Sequence, residues 1–235
     1  MRLNKYISGT GICSRREADK LIEAGRVTWN GAPALLGTQV SPGDEVCIDG
    51  KPLGVKATQI YIAFNKPAGV TCTTEADIEG NIIDFIGHAE RIFPIGRLDK
   101  DSEGLILLTN DGDIVNEILR AENNHEKEYI VTVDRPITDL SLRMMAAGVK
   151  IMGEITKPCK VERLEAAVFR IVLTQGLNRQ IRRMCSALGY RAQGLQRVRI
   201  IHLELGDLEA GQWRELTDAE VVGLIPPRRR SAPVS

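Results

Sequence analysis

Apolar residues along this chain fall into short unbroken runs and into helix-spaced stripes. Ile60-Tyr61-Ile62-Ala63-Phe64, bounded by Asn65-Lys66-Pro67, reads as a buried strand. Strand-like segments also run from Leu105 to Thr109, Glu128 to Val133 and Val168 to Leu173. Helix-like segments run from Asp111 to Arg120, Asp139 to Ala147, Arg179 to Leu188 and Asp218 to Leu224. Their irregular alternation favours an α+β fold with a mixed sheet over strict βαβ winding.

The first part of the chain has its own pattern. Ser14-Arg15-Arg16-Glu17 has the form of a capping box, Ala18, Leu21 and Ile22 share one face, and Gly25 is a stop signal, which predicts a helix over about 15–24. Val27-Thr28-Trp29 leads into the hairpin dipeptide Asn30-Gly31, and Ser41-Pro42-Gly43-Asp44 precedes a strand from Glu45 to Ile48 that turns again at Asp49-Gly50. The weakly patterned stretch Lys51 to Gln59 then places a domain boundary near residue 58. The expected organisation is a module over 1–58, a larger domain over 59–225 and a disordered tail over 226–235, with no internal repeat.

Charge adds a distribution rather than a total. Over 235 residues, 31 Lys and Arg balance 31 Asp and Glu, yet seven arginines and no acid lie between Phe169 and His202. Such a basic stripe in a neutral protein suits a polyanion. The five cysteines are odd in number, widely spaced and never Cys-x-x-Cys, which argues against a zinc site or a disulfide framework and for a reduced, cytosolic chain. No stretch approaches the roughly 20 apolar residues of a membrane span, and the N-terminus lacks an apolar run of signal-peptide length.

Two constellations carry candidate chemistry. Arg15 and Arg16 sit in the first turn of the predicted helix, where free amides invite anions, and with Arg2, Lys5, Lys20 and Arg26 they give the first 30 residues six basic side chains against three acidic ones. Over about the first 50 residues, Arg2 to Ile7, Ser14 to Ala18, Gly25-Arg26-Val27 and Asn30-Gly31 resemble the small αL-type RNA-binding domain of a small-subunit ribosomal protein, with Trp29 where a smaller β-branched residue is expected. The second constellation, Phe93-Pro94-Ile95-Gly96-Arg97-Leu98-Asp99-Lys100-Asp101-Ser102-Glu103-Gly104, puts charged groups at the mouth of a buried strand. It resembles the catalytic loop of RNA pseudouridine synthases of the RsuA and RluF type. Asn65-Lys66-Pro67-Ala68-Gly69, Glu126 to Val131 and Gly176 to Met184 agree with the same family in the same order. Asn123 to Tyr129 and Gly176-Leu177-Asn178-Arg179 point to the RluF-like branch, which acts on large-subunit ribosomal RNA.

That resemblance implies a mostly antiparallel catalytic sheet, structured RNA as substrate and no cofactor or metal, because the reaction changes neither redox state nor composition. It implies Asp99 as the catalytic carboxylate, acting at the sugar C1′ or C2′, and Arg182 as the cation that keeps it charged. Tyr129 is expected, as a second catalytic residue, to stack on the flipped uracil and help remove its C5 proton, and Arg97 to push into the vacated stack. Lys66, Pro67 and Leu98 are expected to shape the pocket wall, while Arg179 and Arg183, with Arg2, Lys5, Arg15, Arg16 and Lys20, hold RNA. The competing readings are a non-catalytic RNA-binding or ribosome-assembly factor, an enzyme acting on transfer RNA, and a glycosidase or nuclease with Asp99 and Asp101 paired. The last is disfavoured by the expectation that residues two apart point to opposite faces. Nothing in the sequence demands more than a monomer.

Overall fold

The structure, a computed structural model, describes residues 1–54, 57–119 and 124–224. The predicted tail, Arg120 and Asn123 lie outside the described residues. The chain forms two compact units: Met1–Ile60 with His88–Ile92 and Asn110–Gly112, and Tyr61–Gly87 with Phe93–Thr109 and the chain from Asp113 onward.

In the first unit, helices α1 (Leu3–Gly9) and α2 (Arg15–Glu23) pack with strands β1 (Val27–Trp29), β2 (Ala32–Pro33), β3 (Val46–Ile48) and β4 (Lys51–Pro52), which form a sheet in the order β2-β1-β3-β4. The capping box is present: Glu17 N–H donates to Ser14 Oγ at 3.2 Å, and Ser14 N–H donates to the Glu17 carboxylate at 2.6 Å. Leu3, Ile7, Ala18, Ile22, Val27, Val40 and Val46 make the core. Both hairpin dipeptides take left-handed backbone at both positions, with φ of 50° and 80° at Asn30-Gly31 and 49° and 74° at Asp49-Gly50. That pairing matches the right-handed twist of the flanking strands. The bulk of Trp29 is accommodated by Asp44, whose carboxylate accepts from the indole Nε1 at 2.9 Å.

The second unit comprises β5 (Tyr61–Lys66), α3 (Ile82–Ile86), β6 (Phe93–Ile95), β7 (Glu103–Thr109), α4 (Gly112–Leu119), β8 (Lys127–Val133), α5 (Asp139–Ala147), β9 (Lys150–Ile151), β10 (Glu154–Ile155), β11 (Lys160–Glu165), β12 (Val168–Leu173), α6 (Gln180–Ala187), β13 (Ala192–Ile200), β14 (Leu203–Glu204), β15 (Trp213–Glu215) and α7 (Asp218–Leu224). Apart from the small β9–β10 hairpin, the strands build one nine-stranded sheet in the order β11-β12-β8-β13-β7-β5-β15, with β6 on β7 and β14 on β13. Every pairing is antiparallel except β13 with β7. Central strands β5 and β7 are buried along almost their whole length, as a doubly covered strand requires. On β8, by contrast, Val131 and Val133 face a core shared with α5 and α6, while Glu128 and Thr132 occupy the alternate positions.

Candidate active site

The loop between β6 and β7 carries Arg97 to Ser102, and three neighbours fix its path. Lys66, at the end of β5, is fully buried, and its ammonium donates to the carbonyls of Pro67 (2.8 Å), Val70 (2.9 Å) and Lys100 (3.3 Å). The Gly69 amide donates to the same Lys100 carbonyl at 2.7 Å. Burial pushes the Lys66 amine down from its ordinary value, against the pull of nearby acids that include Asp101 and Asp99. Lys66 was expected in the pocket wall; with no exposed surface it cannot line one, and instead clamps the loop from beneath. Leu98 is likewise buried, and its amide donates to Cys72 Sγ at 3.4 Å. Burial pushes the Cys72 thiol up. Pro67 is half-buried and Arg97 exposed.

Gly104 closes the loop at a φ of 102°, and a Cβ built there would lie 2.2 Å from the Arg197 carbonyl. Only glycine permits β13 to run this close beside β7.

Asp99 and Asp101 do not diverge. Residues two apart in an extended chain share a face, and here the segment turns, with Ser102 N–H donating to the Asp99 carbonyl at 3.1 Å. Arg179 Nη1 lies 3.5 Å from Asp99 Oδ2 and 3.3 Å from Asp101 Oδ1. Arg182 is closer to a fixed strut. Its Nη1 donates to the Ala192 carbonyl at 3.0 Å and its Nη2 to the Asp101 carbonyl at 2.9 Å and Ser102 Oγ at 3.2 Å. Its Nε is buried without a hydrogen-bond partner, 3.8 Å from Asp99 Oδ2. Burial works to raise the Asp101 carboxyl, but the Arg179 hydrogen bond and the Arg182 charge outweigh it and hold it below the usual carboxylate range. Both arginines come from the start of α6, where Arg179 is the N-cap in left-handed backbone at a φ of 50°. Arg183, one residue on, is exposed and donates to Asn178 O at 3.0 Å.

Tyr129 stands on β8 directly opposite Arg197 of β13, whose guanidinium carbon lies 6.0 Å from the ring centroid. Of the expected site residues, the structure therefore brings together Asp99, Arg182 and Arg179, with Lys66 and Leu98 supporting their loop. In the first unit Arg2, Arg15, Arg16 and Lys20 are exposed and Lys5 is half-buried, whereas Arg26 is paired with Asp49. Asp101, Ser102, Cys72 and Arg197 were not anticipated as site residues; the first two lie inside the recognised loop, but no local pattern marks the others.

The basic stripe is not one surface. Strand alternation sends Arg170, and the register shift between Arg197 and Arg199 sends Arg199, to the other side of the sheet, where Arg199 pairs with Glu128 and Glu126, both at 2.9 Å, and Arg170 with Glu128 and Glu162. These pairs line a recess of about 320 Å³ that contains none of the expected site residues. Arg179 and Arg182 remain beside the loop, with Arg197 buried behind Gly104.

Residues 60–187, more than half of the chain, match the family described as RNA pseudouridylate synthase. The chain belongs to this family. Residues 1–46 match the S4 domain, so an S4 domain precedes the synthase domain in an α+β protein. The chain is 56% identical over 226 residues to the dual-specificity RNA pseudouridine synthase RluF of Escherichia coli strain K12, covering 95% of this chain and 78% of that protein. It is 34% identical to the ribosomal large subunit pseudouridine synthase B of Bacillus subtilis, covering 94% of this chain and 93% of that one. A crystal structure of a pseudouridylate synthase superposes with a TM-score of 0.70 at 32% identity, covering 96% of this chain and all of that one. As a member of the family the chain is an isomerase of uridine in RNA, and the reading as a non-catalytic assembly factor falls away, as does the paired-carboxylate hydrolase. None of the helices described is long and apolar enough to cross a membrane.

Proposed function

We propose that this synthase modifies a uridine of large-subunit ribosomal RNA, with Asp99 as its catalytic carboxylate. The observation that carries the assignment is the placement of Asp99 Oδ2 between Arg179 Nη1 at 3.5 Å and Arg182 Nε at 3.8 Å, midway along a loop clamped from below by Lys66. The two guanidiniums attract the carboxylate and fix where it points. In the reaction the N1–C1′ bond breaks, uracil turns, C5 joins C1′, the C5 proton leaves and N1 gains one. Asp99 acts either by attack on C1′ or by taking the C2′ proton, both of which place the carboxylate beside the sugar. Extruding the uridine from its stack costs a few kcal/mol. Arg97, exposed at the loop, is suited to fill the gap. Tyr129 stacks on the displaced uracil, Pro67 shapes the entrance, and Arg179 and Arg183 hold phosphates. Residues 1–58, with exposed Arg2, Arg15, Arg16 and Lys20 and half-buried Lys5, deliver the RNA to the catalytic domain over 59–225. One chain supplies both the loop and its cations, which suits a monomer, and five free thiols suit the cytoplasm.

The large-subunit target is favoured by the name of the Bacillus subtilis relative. The dual-specificity name of the 56% identical relative favours a second reading in which transfer RNA or another RNA class is also modified. Incubating the chain with ribosomal RNA or transfer RNA tritiated at uracil C5 tests both. Wild type should release tritium from intact ribosomal RNA, and Asp99→Asn should bind it without release. Release by Asp99→Asn at the wild-type rate removes Asp99 from the chemistry, and release from transfer RNA alone replaces the target.

A further inference from the structure

Among the described residues, Lys66 and Arg197 are the two buried cations of the sheet, but Lys66 spends its ammonium on three carbonyls and Arg197 does not. Its side chain is only 3% exposed, and none of the carboxylates described pairs with it. Its Nε donates to the Leu105 carbonyl at 2.7 Å, and its Nη2 is buried with no hydrogen-bond partner. A guanidinium buried without a carboxylate burdens the fold, and a packed apolar side chain of similar volume would serve stability better. Its location supplies another reason for a cation there. On one side Arg197 is in register with Tyr129 of β8, and on the other with Gly104 of β7, the residue that ends the Asp99 loop. The guanidinium carbon, 6.0 Å from the Tyr129 ring centroid, is at the distance over which a cation is drawn to a ring face.

We propose that Arg197 is a positioning residue for uridine isomerisation: it holds the Tyr129 ring by cation–π attraction and, through the Leu105 carbonyl, ties that ring to the strand that follows the Asp99 loop. With one ring face occupied by the guanidinium, Tyr129 keeps one orientation and offers its remaining surface to the uracil. The inference rests on the roles proposed above for Asp99 and Tyr129, and it adds the link between them. At 3% exposure Arg197 offers RNA little surface, so on this proposal its loss acts through geometry. Misplacement of a reacting group by about 1 Å costs roughly 100-fold in rate.

Arg197→Met in the full chain tests this, read by single-turnover tritium release, by the affinity for ribosomal RNA and its salt dependence, and by NMR with ring-labelled tyrosine. The chain has four tyrosines, and the ring signal missing from Tyr129→Phe identifies Tyr129. The expected result is a rate lower by about 30- to 100-fold, an unchanged affinity and salt slope, a displaced or broadened Tyr129 ring signal, and partial recovery of rate in Arg197→Lys. A wild-type rate overturns the proposal. A slower enzyme whose Tyr129 signal is unmoved also overturns it, since the loss is then general, and so does weakened RNA binding, which would make Arg197 a contact. Should Arg197→Met fail to fold, Arg197→Lys keeps the charge but loses the planar stack, and the same pair of rate and ring signal decides. A fully active Tyr129→Ala, which removes the ring, would sink the role of Tyr129 itself, and this proposal with it, independently of any Arg197 variant.

Discussion

Replacing Arg182 with lysine keeps a positive charge beside Asp99 but removes the fork that holds the loop. In the native chain, three hydrogen bonds from one guanidinium reach Ala192 O, Asp101 O and Ser102 Oγ, at 3.0, 2.9 and 3.2 Å. A single ammonium cannot span β13 and the loop together, so about two of these contacts are lost. Each is a charged donor on a neutral acceptor at a side chain only 12% exposed, worth about 1.5 kcal/mol, for a total near ~3 kcal/mol. At about 1.4 kcal/mol per factor of ten, that is a fall of roughly 30- to 100-fold in the single-turnover rate if most of it is expressed in the transition state. Affinity for RNA should stay within about threefold, because this arginine spends its donors inside the protein. Arg182→Met should lose a further ~1–2 kcal/mol. The Coulomb energy of a pair at 3.8 Å is at most about 4 kcal/mol at an effective dielectric of about 20, and Arg179 and solvent replace much of it. Tritium release and filter binding on the same preparations separate rate from affinity. An Arg182→Lys rate within about threefold of wild type, or a loss lying wholly in RNA affinity, would refute the account of Arg182 as a strut.

Two further outcomes concern the frame around the site. Gly104→Ala should destabilise by about 3 kcal/mol or more and abolish activity, since its Cβ would lie 2.2 Å from the Arg197 carbonyl at a φ of 102°; urea unfolding at wild-type midpoint would contradict the close approach of β7 and β13. Glu220 is drawn down to about 2 from an ordinary value of 4.5, chiefly by the Arg214 hydrogen bond. A depressed carboxyl stabilises the fold fully above its unfolded value and loses that contribution as pH falls through its folded value. The gap corresponds to roughly 3 kcal/mol, trimmed to ~2 because the side chain is 25% exposed. Urea midpoints should therefore decline between pH 4.5 and about 2 more steeply in wild type than in Glu220→Gln; parallel declines would show that the pair carries no such stability.

Much of the frame could be read from the sequence because local signals agreed with burial. Val168–Leu173, Asp139–Ala147 and Asp218–Leu224 are found with the predicted bounds. Helix α1 was missed because its N-cap, Arg2, makes no side-chain cap and its buried face is three residues, Leu3, Asn4 and Ile7. The omission of β13 has a more specific cause. Its inward positions read Leu195 and then Arg197, and a register shift between Arg197 and Arg199 makes Ile200 the next buried residue. A buried cation and a bulge together erase the alternation that marks a strand. The Asp99 loop was legible only as a long motif. Arg179 was expected to serve RNA alone, because nothing local shows that the left-handed N-cap of α6 brings its guanidinium to Asp99.

The place of β13 between β7 and β8 also sets a timetable. β7 and β8 follow each other along the chain, yet the sheet order puts residues 192–200 between them. Until that segment has been synthesised, only two half-sheets can form, β5 with β6 and β7, and β8 with β11 and β12. Closing them requires contacts between residues some 90 positions apart, such as Leu105 with Arg197, and loop-closure entropy makes such pairings late. The clamp on Asp99 needs α6, and the ring beside it needs β13, so neither exists on a nascent chain that has not reached residue 200. Catalytic competence thus arrives late in folding, after the RNA-binding residues 1–58 have been made, so a growing chain can hold RNA before it can modify it.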